Sequence, residues 1–357
     1  MMVKMAMTTV MAGGIMMMGQ SAMAAPAQPQ VHVDSATKDM PGRVASKVLA
    51  VKADKTEVGL ISNVVYEQVP SRGYANVPMQ MDILQPKTKE KKPAILFVTG
   101  GGFINANKDN GIQLRMHLTE NGYVVGSINY RVAPTAKLPE PLEDVKAAIR
   151  YLKANADRLG IDPALVGIVG GSAGGYLTAM AGTTSGTTTF DKGENLQVTS
   201  DVKAAVDLYG LSNLTQVGAD FSEEVQAKHR SAGATEALWV NGSPVFGGRD
   251  GGILADKQAA EAANPIHYIS KTSAPMLLMH GTADTVVSPS QTDLLYQALQ
   301  KGGIPSERYL VTGATHGGKY WVQEPVLKII TDFFDQYLKK MIIVKGNAFG
   351  IRSCGKF

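Results

Sequence analysis

Leu165-Val-Gly-Ile-Val-Gly-Gly-Ser172-Ala-Gly-Gly-Tyr-Leu177 is the stretch that decides the fold of this 357-residue chain. Its apolar first half predicts a buried strand, which leads straight into Gly170-Gly-Ser-Ala-Gly174 and then into a helical pattern. Small residues two before and two after a serine leave room for a sharp turn that exposes the hydroxyl as a nucleophile. A glycine-rich turn that merely contains serine is the alternative, but the strand before it and the helix after it favour a nucleophilic Ser172.

Short apolar runs alternate with helix-period segments on both sides of this stretch. Such alternation is typical of an α/β protein with a mainly parallel central sheet and helices on both faces. The predicted core strands lie at residues 94–98, 123–128, 165–169, 202–208, 276–279 and 308–311. Ahead of them, residues 64–69 and 79–84 alternate enough to predict an antiparallel strand pair.

The alternation is interrupted between residues 211 and 263, a stretch with many glycines and scattered large apolar side chains such as Trp239. Its pattern is too irregular to assign to helices or strands. We interpret it as an insertion over the carboxyl edge of the sheet, where open α/β sheets bind ligands.

A serine nucleophile needs a general base and an acid that orients the base, and in this strand pattern both should follow the serine, in the order acid then histidine. Asp284 follows the predicted strand at residues 276–279, and His316 follows the next strand. Asp207, near the end of an earlier strand, is a rival acid, but the turn at Gly281 favours Asp284. His280 precedes that turn and is interpreted as structural.

A second glycine-rich loop follows the strand at residues 94–98, with the sequence Thr99-Gly-Gly-Gly-Phe103. Its backbone N–H groups, together with the N–H of Ala173 at a helix start, are candidate donors to an oxyanion. The loop lacks the Lys-Ser/Thr pair of a nucleotide loop and the spaced glycines of a dinucleotide turn. A nucleotide-binding function is therefore disfavoured.

Taken in order, these segments resemble the α/β-hydrolase esterases of the hormone-sensitive-lipase-like, acetyl-esterase and feruloyl-esterase-like (BD-FAE-like) group, over about residues 60–340. The resemblance implies an α/β-hydrolase fold with Ser172 as nucleophile, His316 as general base and Asp284 as its orienting acid. It also implies oxyanion donors at Gly101, Gly102 and Ala173, with no metal and no cofactor. The motifs that carry it are Thr99–Phe103, Asn129–Pro134, Leu138–Asp144, Gly170–Gly175, Asn264–Ile266, His280–Asp284 and Thr315–His316.

Thr99 departs from the group's pattern, which usually has histidine before the three glycines. That histidine is expected to brace the oxyanion loop, so a shorter threonine is expected to hold the loop differently and to lower activity. Arg131 and Asp144 have no catalytic position, and an Arg after a core strand with an Asp on the next helix predicts a buried or half-buried ion pair.

Composition and charge narrow the function further. The chain is 44% hydrophobic and 18% charged, which is typical of a globular protein. Residues 25–340 carry 31 bases and 31 acids, and the excess of positive charge lies at the two ends. The absence of net charge over residues 25–340 argues against nucleic-acid binding, which needs clustered Lys and Arg.

The ends of the chain have their own patterns. Residues 1–24 combine Lys4, an apolar stretch and Ala22-Met-Ala24, which predicts a cleavable signal peptide and a secreted or periplasmic protein. A membrane anchor is the alternative, but the stretch is short and diluted by Gly and Thr. Residues 25–60 are interpreted as a linker, residues 61–340 as the hydrolase domain, and residues 341–357 as an appended tail. Cys354 is the single cysteine, which excludes an intrachain disulfide and a cysteine-based zinc site.

Three function classes compete: a secreted ester hydrolase, a peptidase of the same fold, and a hydrolase-like binding protein without catalysis. About 40 residues between the signal peptide and the first strand are too few for the gating domain of a peptidase. Intact Ser, Asp and His argue against an inactive binding protein. The prediction is a serine carboxylesterase for short-chain acyl esters, with acetylxylan or feruloyl esters of plant polysaccharide as the alternative substrates.

Overall fold

A computed structural model describes residue 47 and residues 49–339. The chain divides into one unit that ends at Asp54 and a second that begins at Lys55. In the first unit, residue 47 and residues 49–54 are exposed and form no helix or strand. The predicted signal peptide at residues 1–24 and the predicted tail at residues 341–357 lie outside the described residues.

The second unit is built on an eight-stranded sheet with the order β1-β2-β4-β3-β5-β6-β7-β8. β1 pairs antiparallel with β2, and β2 with β4, whereas every later pair is parallel. The predicted α/β class, with a mostly parallel sheet and an antiparallel pair at its start, is confirmed. The strands are β1 (Val58–Ser71), β2 (Tyr74–Pro86), β3 (Lys92–Val98), β4 (Val124–Ile128), β5 (Ile161–Gly171), β6 (Ala205–Leu208), β7 (Met276–Gly281) and β8 (Ser306–Val311).

The first two strands are longer than the sequence predicts. β1 begins at Val58, within the predicted linker at residues 25–60 and three residues before the predicted domain start at residue 61. Gly59 and Leu60 already pair with Gln85 and Leu84 of β2. Gly59 has no side chain and Leu60 is exposed, so these residues carry no alternating apolar pattern that would reveal the backbone pairing.

Helices cover both faces of the sheet, as predicted. Along β3, Ala94 and Leu96 belong to one apolar core and Ile95 and Phe97 to the other, because successive side chains of a strand point to opposite faces. The helices are α1 (Ile112–Glu120), α2 (Glu140–Ala154), α3 (Ala156–Leu159), α4 (Ala173–Thr183), α5 (Glu223–His229), α6 (Thr235–Asn241), α7 (Lys257–Ala262), α8 (Ser290–Gly302) and α9 (Glu324–Leu338).

The stretch at residues 211–263, which the sequence left unassigned, contains the three short helices α5, α6 and α7. Helices of six or seven residues are too short to show a clear period, and packing stabilises them instead. Trp239 on α6 is fully buried and stacks on Phe103 of the second glycine loop, with ring centroids 4.6 Å apart. The hydroxyl of Tyr176 on α4 donates to the carbonyl of Ala263. The insertion is thus anchored beside the loop that follows β3.

Candidate active site

Ser172 stands on a sharp turn between β5 and α4. Its backbone has φ 57° and ψ −123°, an unfavourable conformation for a residue with a side chain. The N–H of Ser172 donates to the carbonyl of Leu208, and its own carbonyl accepts from Tyr176, so both sides of the turn are fixed. The turn therefore holds the hydroxyl outside the sheet and outside the helix.

The glycines on either side of Ser172 are required by close backbone approach. A Cβ at Gly170 would lie 2.3 Å from the carbonyl oxygen of Gly174, and a Cβ at Gly174 would lie 2.0 Å from that of Val98. Both distances are far inside van der Waals contact. Glycine at these two positions lets the strand-turn-helix unit close without this overlap, which is the physical basis of the pattern noted in the sequence.

The structure brings Ser172, His316 and Asp284 together in one line of hydrogen bonds. Nε2 of His316 lies 2.8 Å from Oγ of Ser172, and its Nδ1 lies 2.7 Å from Oδ2 of Asp284. His316 follows β8 and Asp284 follows β7, so the sheet positions both at its carboxyl edge. This geometry lets the serine O–H donate to the imidazole while the imidazole N–H donates to the carboxylate.

The carboxylate of Asp284 is buried and contacts four N–H groups, those of His316, Val286, Val287 and, at 3.2 Å, His280. Burial alone would raise its pKa, yet hydrogen bonds from His280 and His316 hold the pKa well below its usual range. The N–H groups of Val286 and Val287 also donate to Oδ1, at 2.8 and 3.0 Å. Asp284 is therefore ionised throughout the range in which the protein would work, as an acid that orients an imidazole must be.

Asp207, the rival acid, lies elsewhere. It belongs to β6, its side chain is buried, and its Oδ1 accepts the N–H of Gly210 at 2.8 Å. Burial raises the pKa of Asp207 to about 7. The hydrogen bonds of His316 go to Asp284 and Ser172, so Asp207 takes no part in the line of hydrogen bonds.

The three predicted oxyanion donors lie around the same turn. Gly101 and Gly102 line the cavity that contains Ser172, and Ala173 is the first residue of α4. Within the described residues, none of their N–H groups is engaged in a hydrogen bond with the protein. Unengaged N–H groups beside a nucleophile are what stabilisation of an oxyanion requires.

Thr99 is braced by two residues that the sequence analysis did not connect with the oxyanion loop. Its Oγ1 accepts from Nδ2 of Asn110 at 3.2 Å and donates to the carbonyl of Gly100 at 3.1 Å. Its own carbonyl accepts from the hydroxyl of Tyr130 at 2.8 Å. Tyr130 lies in the Asn-Tyr-Arg segment that the sequence flagged, whereas nothing in the sequence singles out Asn110.

Arg131 and Asp144 form the ion pair that the sequence predicts. Nη2 of Arg131 lies 2.6 Å from Oδ1 of Asp144, whose side chain is fully buried. The N–H of Arg131 donates to the same carboxylate at 2.7 Å. This contact ties the segment after β4 to α2.

A cavity of about 840 Å³ opens over Ser172 and His316. Its walls come from the loop after β3, the start of α1 and the segment after His316. No residue of the described insertion at 211–263 lines it. The apolar part of the wall is formed by Phe97, Ile112, Leu114, Leu208, Tyr209, Val286, Trp321 and Val322.

Among the described residues, His, Cys, Asp and Glu form no group of three or more that could hold a metal ion. In the same part of the chain, no helix has the length and apolar character needed to cross a membrane.

A mostly parallel sheet with a strand-turn-helix serine, a later acid and a final histidine defines the α/β-hydrolase class. This chain belongs to the BD-FAE family, which matches residues 81–299. Esterase LipC of Mycobacterium tuberculosis is 28% identical over 249 residues, which are 68% of this chain and 58% of LipC. The isoprenylcysteine alpha-carbonyl methylesterase ICME of Arabidopsis thaliana is 26% identical, over 72% of this chain and 57% of that protein.

Among solved structures, a truncated carbohydrate esterase from gut microbiota superposes with a TM-score of 0.67 and 28% identity. That alignment covers 81% of this chain and 99% of the other. By contrast, the alignments with LipC and ICME cover only a little more than half of the length of those two proteins. The resemblance to the α/β-hydrolase esterases inferred from the motifs is confirmed.

Proposed function

We propose that this protein is a serine carboxylesterase that cleaves short-chain acyl esters through an acyl-enzyme intermediate. The observation that carries the proposal is the hydrogen-bonded line from Ser172 through His316 to Asp284 at the base of an open cavity. The similarity to esterase LipC, to the methylesterase ICME and to a carbohydrate esterase supports the same reaction class.

In the first half of the reaction, Oγ of Ser172 attacks the ester carbonyl carbon and passes its proton to Nε2 of His316. The carbonyl oxygen becomes an oxyanion that the N–H groups of Gly101, Gly102 and Ala173 stabilise. The carbon-oxygen bond to the alcohol then breaks. The alcohol leaves with the proton from His316, and the acyl group stays on Ser172.

In the second half, a water molecule gives a proton to His316 and attacks the acyl carbon. A second oxyanion forms and collapses, the carboxylic acid leaves, and the proton returns from His316 to Ser172. Asp284 carries its negative charge throughout and stabilises the imidazolium in both halves. No step requires a metal or a redox group.

The insertion at residues 211–263 bears on the substrate. A lipase uses a mobile apolar segment to cover its site, but this insertion lines no part of the cavity, and its largest side chain, Trp239, is buried on Phe103 and Tyr176. A cavity that the described insertion leaves open suits soluble esters. Acetyl or feruloyl groups on plant polysaccharide are the second candidate class, favoured by the similarity to the carbohydrate esterase from gut microbiota.

A substrate panel tests the proposal. Hydrolysis of p-nitrophenyl esters of rising acyl length, methyl ferulate and acetylated xylan is compared with hydrolysis of a peptide p-nitroanilide. We expect turnover of short esters and none of the anilide. Ser172→Ala should lower kcat by about 10⁶-fold, whereas Ser231→Ala, which changes an exposed serine on the insertion, should keep full activity.

Two results would contradict the proposal. Activity of Ser172→Ala equal to that of the Ser231→Ala control would exclude a serine mechanism. Faster cleavage of the anilide than of any ester would favour the peptidase alternative.

Export is a separate proposal, supported by the pattern of residues 1–24. Mass spectrometry of protein recovered from the periplasm or medium is expected to give Ala25 as the mature N-terminus. A retained Met1 would contradict cleavage.

A further inference from the structure

His280 has no part in the proposed reaction, yet it touches the acid. Its side chain is fully buried at the end of β7, and its Nε2 lies 3.2 Å from Oδ2 of Asp284. This is the same oxygen that accepts from Nδ1 of His316 at 2.7 Å. Two imidazole rings therefore converge on one carboxylate oxygen.

The contacts of Nε2 fix where the proton of His280 lies. This nitrogen makes a hydrogen bond with the carbonyl oxygen of Val287 at 3.1 Å, and Oδ2 of Asp284 lies 3.2 Å from the same nitrogen, so the two oxygens share one N–H. Both neighbours can only accept a hydrogen bond, so Nε2 must carry a hydrogen and donate it. His280 is thus a donor to the loop that presents Asp284, in the neutral as in the charged form.

The other nitrogen anchors the ring to the body of the fold. Nδ1 of His280 lies 3.2 Å from Oγ1 of Thr292 on α8. Nε of Arg308 on β8 donates to the same Oγ1 at 3.2 Å, and Arg308 pairs with Asp293 at 3.3 Å. The ring is held between α8, β8 and the loop after β7, and cannot turn without breaking these contacts.

We propose that His280 is a positioning residue for the esterase reaction, which donates a hydrogen bond to Oδ2 of Asp284 and so sets the strength and direction of the Asp284–His316 contact. The proposal rests on the serine esterase function proposed above. His280 touches no reacting atom and acts only through Asp284.

A second donor on Oδ2 has two consequences. It fixes the rotation of the carboxylate, so that the accepting lone pair faces His316. It also withdraws negative charge from the oxygen that stabilises the His316 imidazolium. Removal of His280 should therefore misalign the base and, at the same time, make the protonated form of His316 more stable, so that activity appears only at higher pH.

The sign of this pH effect follows from the ionisable and charged groups around Asp284 and His316. The ionisable or charged groups that face Asp284 and His316, or that stand directly behind them, are His280 on β7, Tyr209 after β6, Lys319 in the cavity wall, and Arg308 with Asp293 behind Thr292. Replacing His280 changes only the first of these. Whether His280 is a neutral donor or a cation, its loss leaves more negative charge on Asp284 to stabilise the His316 imidazolium. The pH needed for activity therefore rises in either case.

The test compares two substitutions of similar size. His280→Met fills the space without a donor, whereas His280→Gln keeps an N–H that can reach the positions of Asp284 and Val287. For His280→Met we expect kcat for p-nitrophenyl acetate to fall about 10- to 100-fold, with KM nearly unchanged. The acidic limb of its kcat/KM profile should move up by about half a pH unit. His280→Gln should recover kcat to within a few-fold of the wild type.

The controls separate positioning from folding and from the proposed function. Rates are expressed per active site titrated with a fluorophosphonate, so misfolded protein is not counted. His267→Gln, which changes an exposed histidine paired with Glu261, should alter neither kcat nor the pH profile. The active wild type and an inactive Ser172→Ala variant establish the esterase mechanism independently of His280.

An unchanged kcat and an unmoved acidic limb in His280→Met would overturn the proposal and leave His280 with a purely structural role. The same holds if only its melting temperature falls. If His280→Met does not fold, Thr292→Val takes its place, because it frees the ring from α8. Thr292→Val should lower kcat by about 3- to 10-fold, and wild-type kcat in this variant would also overturn the proposal.

Discussion

Replacing Asp207 with Asn distinguishes the two carboxylates that the sequence offered as the acid. Asp207 is only 1% exposed, and a Cβ placed on Gly175 or Gly210 would lie within 2.3 Å of its Oδ1. Oδ1 accepts the N–H of Gly210, while Oδ2 has no hydrogen-bond partner among the described residues. Asparagine has the same shape, keeps the acceptor for Gly210, and carries no charge.

The size of the expected change in the free energy of unfolding follows from the pKa of Asp207. Burial raises the pKa of Asp207 from an ordinary value of 3.8 to about 7. Between pH 3.8 and pH 7, Asp207 keeps its proton in the folded protein but loses it in the unfolded chain. The contribution of Asp207 to the free energy of unfolding is therefore fully present below pH 4 and is lost as the pH rises to 7. Each pKa unit is worth about 1.4 kcal/mol, which gives at most about 4 kcal/mol over the whole window. Asp207→Asn has no such proton and no such loss.

Urea denaturation of both proteins at pH 5 and pH 8 measures the effect. The wild type should lose about 3 kcal/mol more free energy of unfolding than Asp207→Asn between these two conditions. Other groups that titrate in this window, such as Glu67, are present in both proteins and cancel in the comparison. The kcat/KM of Asp207→Asn should stay within about threefold of the wild type, since Asp207 does not contact His316.

Equal pH dependence in the two proteins would refute the claim that Asp207 is protonated in the folded state. A loss of activity of more than about 100-fold in Asp207→Asn, together with a harmless Asp284→Asn, would refute the assignment of the acid itself.

Four further substitutions probe other parts of the site and the core. Asp284→Asn should reduce kcat by about 10⁴-fold with the fold intact by circular dichroism, because it removes the charge that orients His316; a loss below tenfold would contradict its role. Relative to the wild type, Glu67→Gln should gain more free energy of unfolding at pH 8 than at pH 5 in urea titrations, since burial raises the pKa of Glu67 to about 7; an equal effect at both pH values would mean that the pKa of Glu67 is not raised in the folded state. Thr99→Val should lower kcat/KM for p-nitrophenyl acetate about tenfold by removing the acceptor for Asn110, and full activity would show that Tyr130 braces the loop alone. Gly174→Ala should lower the melting temperature by several degrees because its Cβ meets the carbonyl of Val98; a normal melt would disprove the crowding.

The sheet and the serine turn could be predicted because local sequence encodes them. Buried parallel strands are short apolar runs, and the turn at Ser172 demands glycine at fixed positions. The acid and the base could be placed because residues just after parallel strands gather at one edge. The exposed start of β1 and the short helices of the insertion lack a period and depend on pairing and packing. The sequence therefore could not define them.

The two carboxylates show where local reasoning stops. Asp207 lies within the ladder, paired with Gly170 on one side and Leu278 on the other, so its side chain turns into the face that α4 covers. Asp284 lies three residues beyond the end of β7, where the chain is free to aim a side chain along the edge. The sequence distinguishes these positions because one follows a glycine turn and the other does not.

The sequence could not assign His280 a role in this way, because its role in positioning Asp284 depends on which residues pack against it in the fold. A histidine before a glycine turn looks the same whether it fills space or donates to the acid. The difference lies in Thr292, twelve residues later on α8, and in Arg308 on β8, which together fix the ring so that Nε2 points at Oδ2 of Asp284. Nothing in the spacing of these three residues predicts their contact, because it is set by how α8 packs on β7 and β8. A residue that acts through another in this way becomes visible only when the hydrogen bonds of the site are followed outward from the reacting atoms.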